Sequence, residues 1–126
     1  MDKELLVERT RKALKGHPKN QGDFSLIMLV ADDPSELDSK FSLLVSAPWM
    51  DAISPREGIE LILKTLKASL SDLEFSYITR VHPINSADGF VKTINSTYHV
   101  RDRIVDIMDS SVSGTYIGKG IIVEST

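Results

Sequence analysis

Five side chains have the types and positions to gather at one edge of a sheet: Trp49, Asp51, Arg56, Arg80 and His82. Two guanidiniums beside a helix N-terminus would receive a carboxylate or phosphate, since free backbone N–H groups and positive charge both favour an anion. His82 adds an imidazole at the end of an expected strand, beside the candidate cleft. Asn85 and Asp88 follow on the same side. Ser46, His82 and Asp51 supply the residue types of an acyl-transfer triad. However, the chain has no Gly-x-Ser-x-Gly elbow, and Ser46 falls inside an expected strand rather than on an exposed turn. Asp51 and Glu57 also oppose the anion reading. Acids in that place can pair with the arginines as surface salt bridges worth at most about 1 kcal/mol each.

Other groupings are weaker. Asp32, Asp33, Glu36 and Asp38 lie within seven residues, but the run lacks the turn glycine and closing glutamate of an ordered calcium loop. It reads as a solvated hairpin tip, and no metal site is expected. His17, His82 and His99 show no metal-binding spacing, and His17 reads as exposed at a helix exit. No phosphate loop or dinucleotide fingerprint occurs, so no cofactor is expected. Gly118 and Gly120 leave two successive same-face positions of a strand without side chains, which points to a bulge or a tight packing contact there ahead of a bound ligand.

Composition sets outer bounds. The 126 residues match one domain, expected to span 1–126. The net charge of −3 argues against general nucleic-acid binding, which calls for a basic stripe. With no cysteine, thiol chemistry and disulfides are excluded. No run approaches the ~20 apolar residues of a membrane helix. A soluble cytoplasmic protein is expected, with no nucleic-acid or membrane partner.

The elements that must position these residues follow from periodicity. Residues 2–15 read as a helix with Leu6, Val7, Thr10, Ala13 and Leu14 inward, closed by Gly16 and Pro18. Its basic residues read as a solvated face. Residues 23–31 form a strand apolar on both faces, hence central in the sheet. Phe41–Ala47 form a second strand, joined to the first by a loop short enough for an antiparallel pair. Ser54, Pro55 and Glu57 mark a helix start, and Ile59, Ile62, Leu63, Leu66 and Leu70 form its buried stripe. Glu74–His82 alternate as a third strand, which a helical crossover makes parallel to the second. Ser86 is expected to cap a short helix with Phe90, Val91 and Ile94 inward, and residues 96–102 carry no clear signal. Arg103–Glu124 read as two strands about a turn at 109–114.

The expectation is an α+β domain, a mixed sheet of about five strands with two to three helices in the order α-β-β-α-β-(α)-β-β. The motifs are structural, so the leading functional expectation is a non-catalytic binding or interaction domain. The alternative is a small-anion binder or enzyme built on Trp49, Asp51, Arg56, Arg80 and His82. The apolar, charge-poor segment Ile117–Val123 further predicts an exposed edge and a homodimer.

Overall fold

The structure, a computed structural model, describes residues 2–16, 24–101 and 103–126. His17 and Asp23 lie outside them. Among the described residues ten elements follow one another: α1 (Lys3–Lys15), β1 (Leu26–Ala31), β2 (Phe41–Ser46), α2 (Pro48–Asp51), α3 (Pro55–Ser69), α4 (Asp72–Ser76), β3 (Ile78–Pro83), α5 (Gly89–Thr97), β4 (Val105–Val112) and β5 (Thr115–Ser125). The sheet has five strands in the order β3-β2-β1-β5-β4. The α+β class is as expected, with five helices rather than two or three. The two additional ones, α2 and α4, are single turns.

β1 lies at the centre because both of its faces are apolar. Ile27, Leu29 and Ala31 enter one core with α1 and α3. Leu26, Met28 and Val30 enter a second core with Phe90, Val91 and Ile94 of α5. β1 pairs antiparallel with β2, and β2 pairs parallel with β3, as the short hairpin loop and the helical crossover require. The Ser54 hydroxyl accepts from the Glu57 N–H to start α3, whose Ile62 and Leu66 are buried against the first core.

Three local expectations are corrected. Glu74–Tyr77 are not strand. Ser71 and Glu74 form a reciprocal capping box that starts α4, so β3 begins only at Ile78. Asp88, not Ser86, caps α5 by accepting from the Phe90 N–H at 2.8 Å. And β5 is no edge strand: it pairs with β1 on one side and β4 on the other. The run Ile121-Ile122-Val123 is apolar without alternation because both of its faces are covered.

The basic residues of α1 are also more than a solvated face. Arg9 donates to Glu74, Arg11 to the carbonyls of Val123 and Arg103, and Lys15 to Glu124. They tie the helix to α4 and the sheet. Glu124 is only 1% exposed, and a bulge inserting Val123 in β5 brings it opposite Ile27, on the α1 side. A charge buried there requires the Lys15 partner, at 3.2 Å.

Candidate functional site

The five residues grouped by sequence are divided between the two faces of the sheet. Trp49 packs against the α1–α3 core and meets Phe24 edge-on, with ring centroids 5.9 Å apart. Arg80 and His82 lie on the opposite face. In the parallel register they stand opposite Ser42 and Leu44, and Leu44 packs against the α5 core. Val81, between them, points into the first core.

The remaining two members are engaged locally. Arg56 has its side chain 89% exposed and pairs with Glu60 one turn along α3, at 3.3 Å. That is a surface ion pair of small worth, made with Glu60 rather than with Asp51 or Glu57. Asp51 accepts from the Ser86 backbone N–H at 3.1 Å and from the Ser86 hydroxyl. This clamp fastens the end of α2 to the loop after β3. The C-terminal ends of the two parallel strands therefore enclose only a small cleft of about 180 Å³, bounded by Met50, Asp51, Pro55, Pro83 and Asn85. Neither arginine lines it. Ser46 is fully buried, which removes it from any exposed triad.

A large concave surface lies beside Trp49. A groove of about 670 Å³ runs along α3, floored by Trp49, Ala52, Ile53 and Leu61 and rimmed by Glu57, Glu60 and Lys64. α2 creates it. Pro48 starts this one-turn helix from the extended Ala47, and the turn swings Trp49 back over the N-terminal half of α3. The indole N–H is buried and has no hydrogen-bond partner among the described residues, an unusual condition for a Trp donor.

His82 belongs to a second, smaller groove on the other face. About 230 Å³ is enclosed by Val30, Leu44, His82, Phe90, Tyr116 and Ile117. It exists because α5 packs on β4 and β5, leaving part of this face open over β2 and β3. The Tyr116 hydroxyl donates to Asp109 at 2.6 Å, which holds the phenol above its ordinary range.

The acidic loop is occupied with hydroxyls. Asp32 accepts from Ser42 at 2.7 Å and Thr79 at 2.6 Å, joining β2 to β3. Asp33 accepts from Ser35. Asp38 accepts from the Tyr77 phenol at 2.6 Å, a bond that holds the carboxyl below and the phenol above their ordinary ranges. Among the described residues, no three His, Asp or Glu side chains are grouped to hold a metal ion. The close packing expected at Gly118 and Gly120 comes from within the chain. A Cβ on Gly118 would lie 2.6 Å from Pro34 of the same loop, and one on Gly120 would lie 2.8 Å from Met28.

Compared with protein-family models, curated proteins and solved structures, the chain shows no match. The functional reading therefore comes from its own surfaces.

Proposed function

We propose that this chain is a non-catalytic binding or interaction domain, soluble and cytoplasmic, whose recognition surface is the α3 groove at Trp49. The observation that carries the reading is the makeup of that groove. An aromatic anchor and an apolar floor of Ile53 and Leu61 are ringed by charges of both signs, Glu57, Glu60 and Lys64. An apolar centre with a polar rim is how protein-recognition surfaces are built, and aromatic residues dominate their energetics. The mixed rim favours a protein segment with an apolar side chain to insert over a polyanion or a polycation. The acidic, cysteine-free sequence is compatible with a cytoplasmic setting.

Trp49 is the only tryptophan, so its emission reports on the groove directly. Short helical peptides carrying one aromatic or aliphatic anchor are titrated against the wild type and a Leu61→Lys variant. The reading expects a saturable shift in Trp49 emission that depends little on salt and is lost in the variant. If no anchored peptide shifts the emission, or the variant responds like the wild type, the reading fails. The competing reading, an anion site or enzyme using Trp49, Asp51, Arg56, Arg80 and His82, is tested in a parallel thermal-shift screen of carboxylates and phosphates. A ligand at about a hundred times its Kd stabilises by roughly 2.7 kcal/mol. Such stabilisation, lost in an Arg56→Ala, Arg80→Ala double variant, would replace the interaction reading with the anion one.

A further inference from the structure

We infer that the free edge of β4, with the groove beside it, docks a second copy of this chain, the two β4 strands pairing antiparallel about a two-fold axis at Ile107. This surface is independent of the Trp49 groove. The sheet has two edges, β3 and β4. β3 is short, presents the exposed Arg80 and His82, and ends at Pro83, which has no N–H to donate; these are features that discourage edge pairing. Among the described residues, β4 pairs only with β5, which leaves an open stretch from Val105 to Met108. The left-handed backbone of Asp109, with φ of 46°, ends it, and no pairing with Gly118 forms there.

Next to this stretch, α1 stops short of covering the sheet. A groove of about 470 Å³ lies between the start of α1 and β4–β5, lined by Lys3, Glu4, Ile104, Asp106, Met108 and Lys119 among others. Met108 is 64% and Ile104 37% exposed. Two cations and two anions share the rim, so the surface matches neither a basic nor an acidic partner. It is complementary to itself.

The register follows from the charges. Asp106 and Met108 face the α1 side, because Val105 and Ile107 pack into the α5 core. A two-fold axis perpendicular to the sheet keeps both α1 faces on one side, so paired residues on the two copies must have numbers that sum to an even value. Centring on Asp106 would set two carboxylates directly opposite, a destabilising pair. Centring on Met108 would set the kinked Asp109 next to the axis, opposite Ile107, whereas centring on Ile107 leaves it at the end of the ladder, opposite Val105. Centring on Ile107 sets Asp106 of one copy beside Met108 of the other, whose own neighbour on β5 is Lys119. Asp106 and the second copy's Lys119 are then two strand spacings apart, about 10 Å, within the reach of the two side chains. Two symmetric ion pairs and a joined Met108–Ile104 apolar strip result, an isologous contact of the kind two-fold dimers use.

Sedimentation velocity over a concentration series reads the assembly, with a dimer of twice 14.0 kDa expected. Asp106→Lys is expected to weaken association about tenfold or more, equivalent to about 1.4 kcal/mol, and Asp106→Lys with Lys119→Asp to restore it. Because the chain has no cysteine, single Asp106→Cys and Met108→Cys proteins report the register under mild oxidation. Paired Cα atoms about 4.5–5.5 Å apart fit a disulfide. A mixture of the two proteins is therefore expected to cross-link faster than either alone. A monomer at every concentration, a dimer that ignores Asp106→Lys or is not restored by the reversal, or cross-linking without preference for the mixed pair would each overturn the inference.

Discussion

Glu74 is a carboxylate that does two structural jobs at once, and removing it should be costly. It is 3% exposed, yet its Oε1 accepts from the Ser71 N–H at 2.8 Å and from Arg9 at 3.0 Å. The Ser71 hydroxyl accepts in return from the Glu74 N–H. Glu74→Ala leaves the Ser71 N–H without its acceptor, at a cost of roughly 1–2 kcal/mol. It also removes the anchor that α4 offers to α1. The Arg9 side chain is 47% exposed, so that ion pair adds no more than about 1 kcal/mol. The sum is about 1–3 kcal/mol, a fall in Tm of roughly 4–12 °C for a domain of this size. Glu74→Gln keeps an acceptor for Ser71 and should lose about 1 kcal/mol. The Ser71 N–H, and after it the Arg9 guanidinium, hold the Glu74 carboxyl below the ordinary glutamate range. A depressed folded-state pKa stabilises the fold fully above the unfolded value, about 4.3, and the contribution is lost as pH falls through the folded one. The wild-type advantage over Glu74→Gln should therefore be constant from pH 7 to about 5 and shrink below about 4. Urea unfolding followed by Trp49 emission measures both quantities. A Glu74→Ala loss below about 0.5 kcal/mol, or a gap to Glu74→Gln that persists at low pH, refutes the reasoning.

Two further substitutions test packing. Gly118→Ala drives a Cβ into the Pro34 ring at 2.6 Å and should destabilise by about 1–3 kcal/mol; in urea melts, pairing it with Pro34→Gly should recover most of the loss. Leu66→Ala opens a hole at a fully buried position where α3 meets the first core. Calorimetry should show about 2–5 kcal/mol lost, with little change in Trp49 emission from the native state.

The long elements were legible because their patterns are redundant. α1 and α3 each combine a 3.6-residue apolar stripe with a cap, and β1 is apolar on both faces, which only a central strand tolerates. α4 was obscured by competing signals. Phe75 and Tyr77 alternate like strand residues, but Ser71-Asp-Leu-Glu74 is a capping box, and the local hydrogen bonds prevail. In β3, an extra residue, Thr79, shifts the register against β2 while its hydroxyl donates to Asp32 and the Phe41 carbonyl. Ile78 therefore joins Val81 in the first core rather than sharing a face with Arg80 and His82. The candidate site suffered from a related ambiguity. Sequence order puts Trp49 and His82 at the same end of the sheet but does not say on which face. The one-turn α2 sends Trp49 one way, while strand alternation after Val81 sends His82 the other. The Ile117–Val123 run held the answer to its own position, since an exposed edge strand would have alternated.

The place of β5 bears on how the chain acquires its shape. Neighbours across the sheet's middle are nearly the whole sequence apart, with Ile27 opposite Glu124. During synthesis, β1 and β2 emerge early and can pair, but the other side of β1 stays unsatisfied until the segment after Thr115 has been made. Such distant closures are entropically slow, and a strand waiting with an open apolar flank is the species most exposed to mispairing. α1 compounds the wait, because the Val123 carbonyl and Glu124 carboxylate that hold Arg11 and Lys15 arrive with that same last segment. A fragment ending before β5 would thus lack the seam that joins the two halves of the sheet.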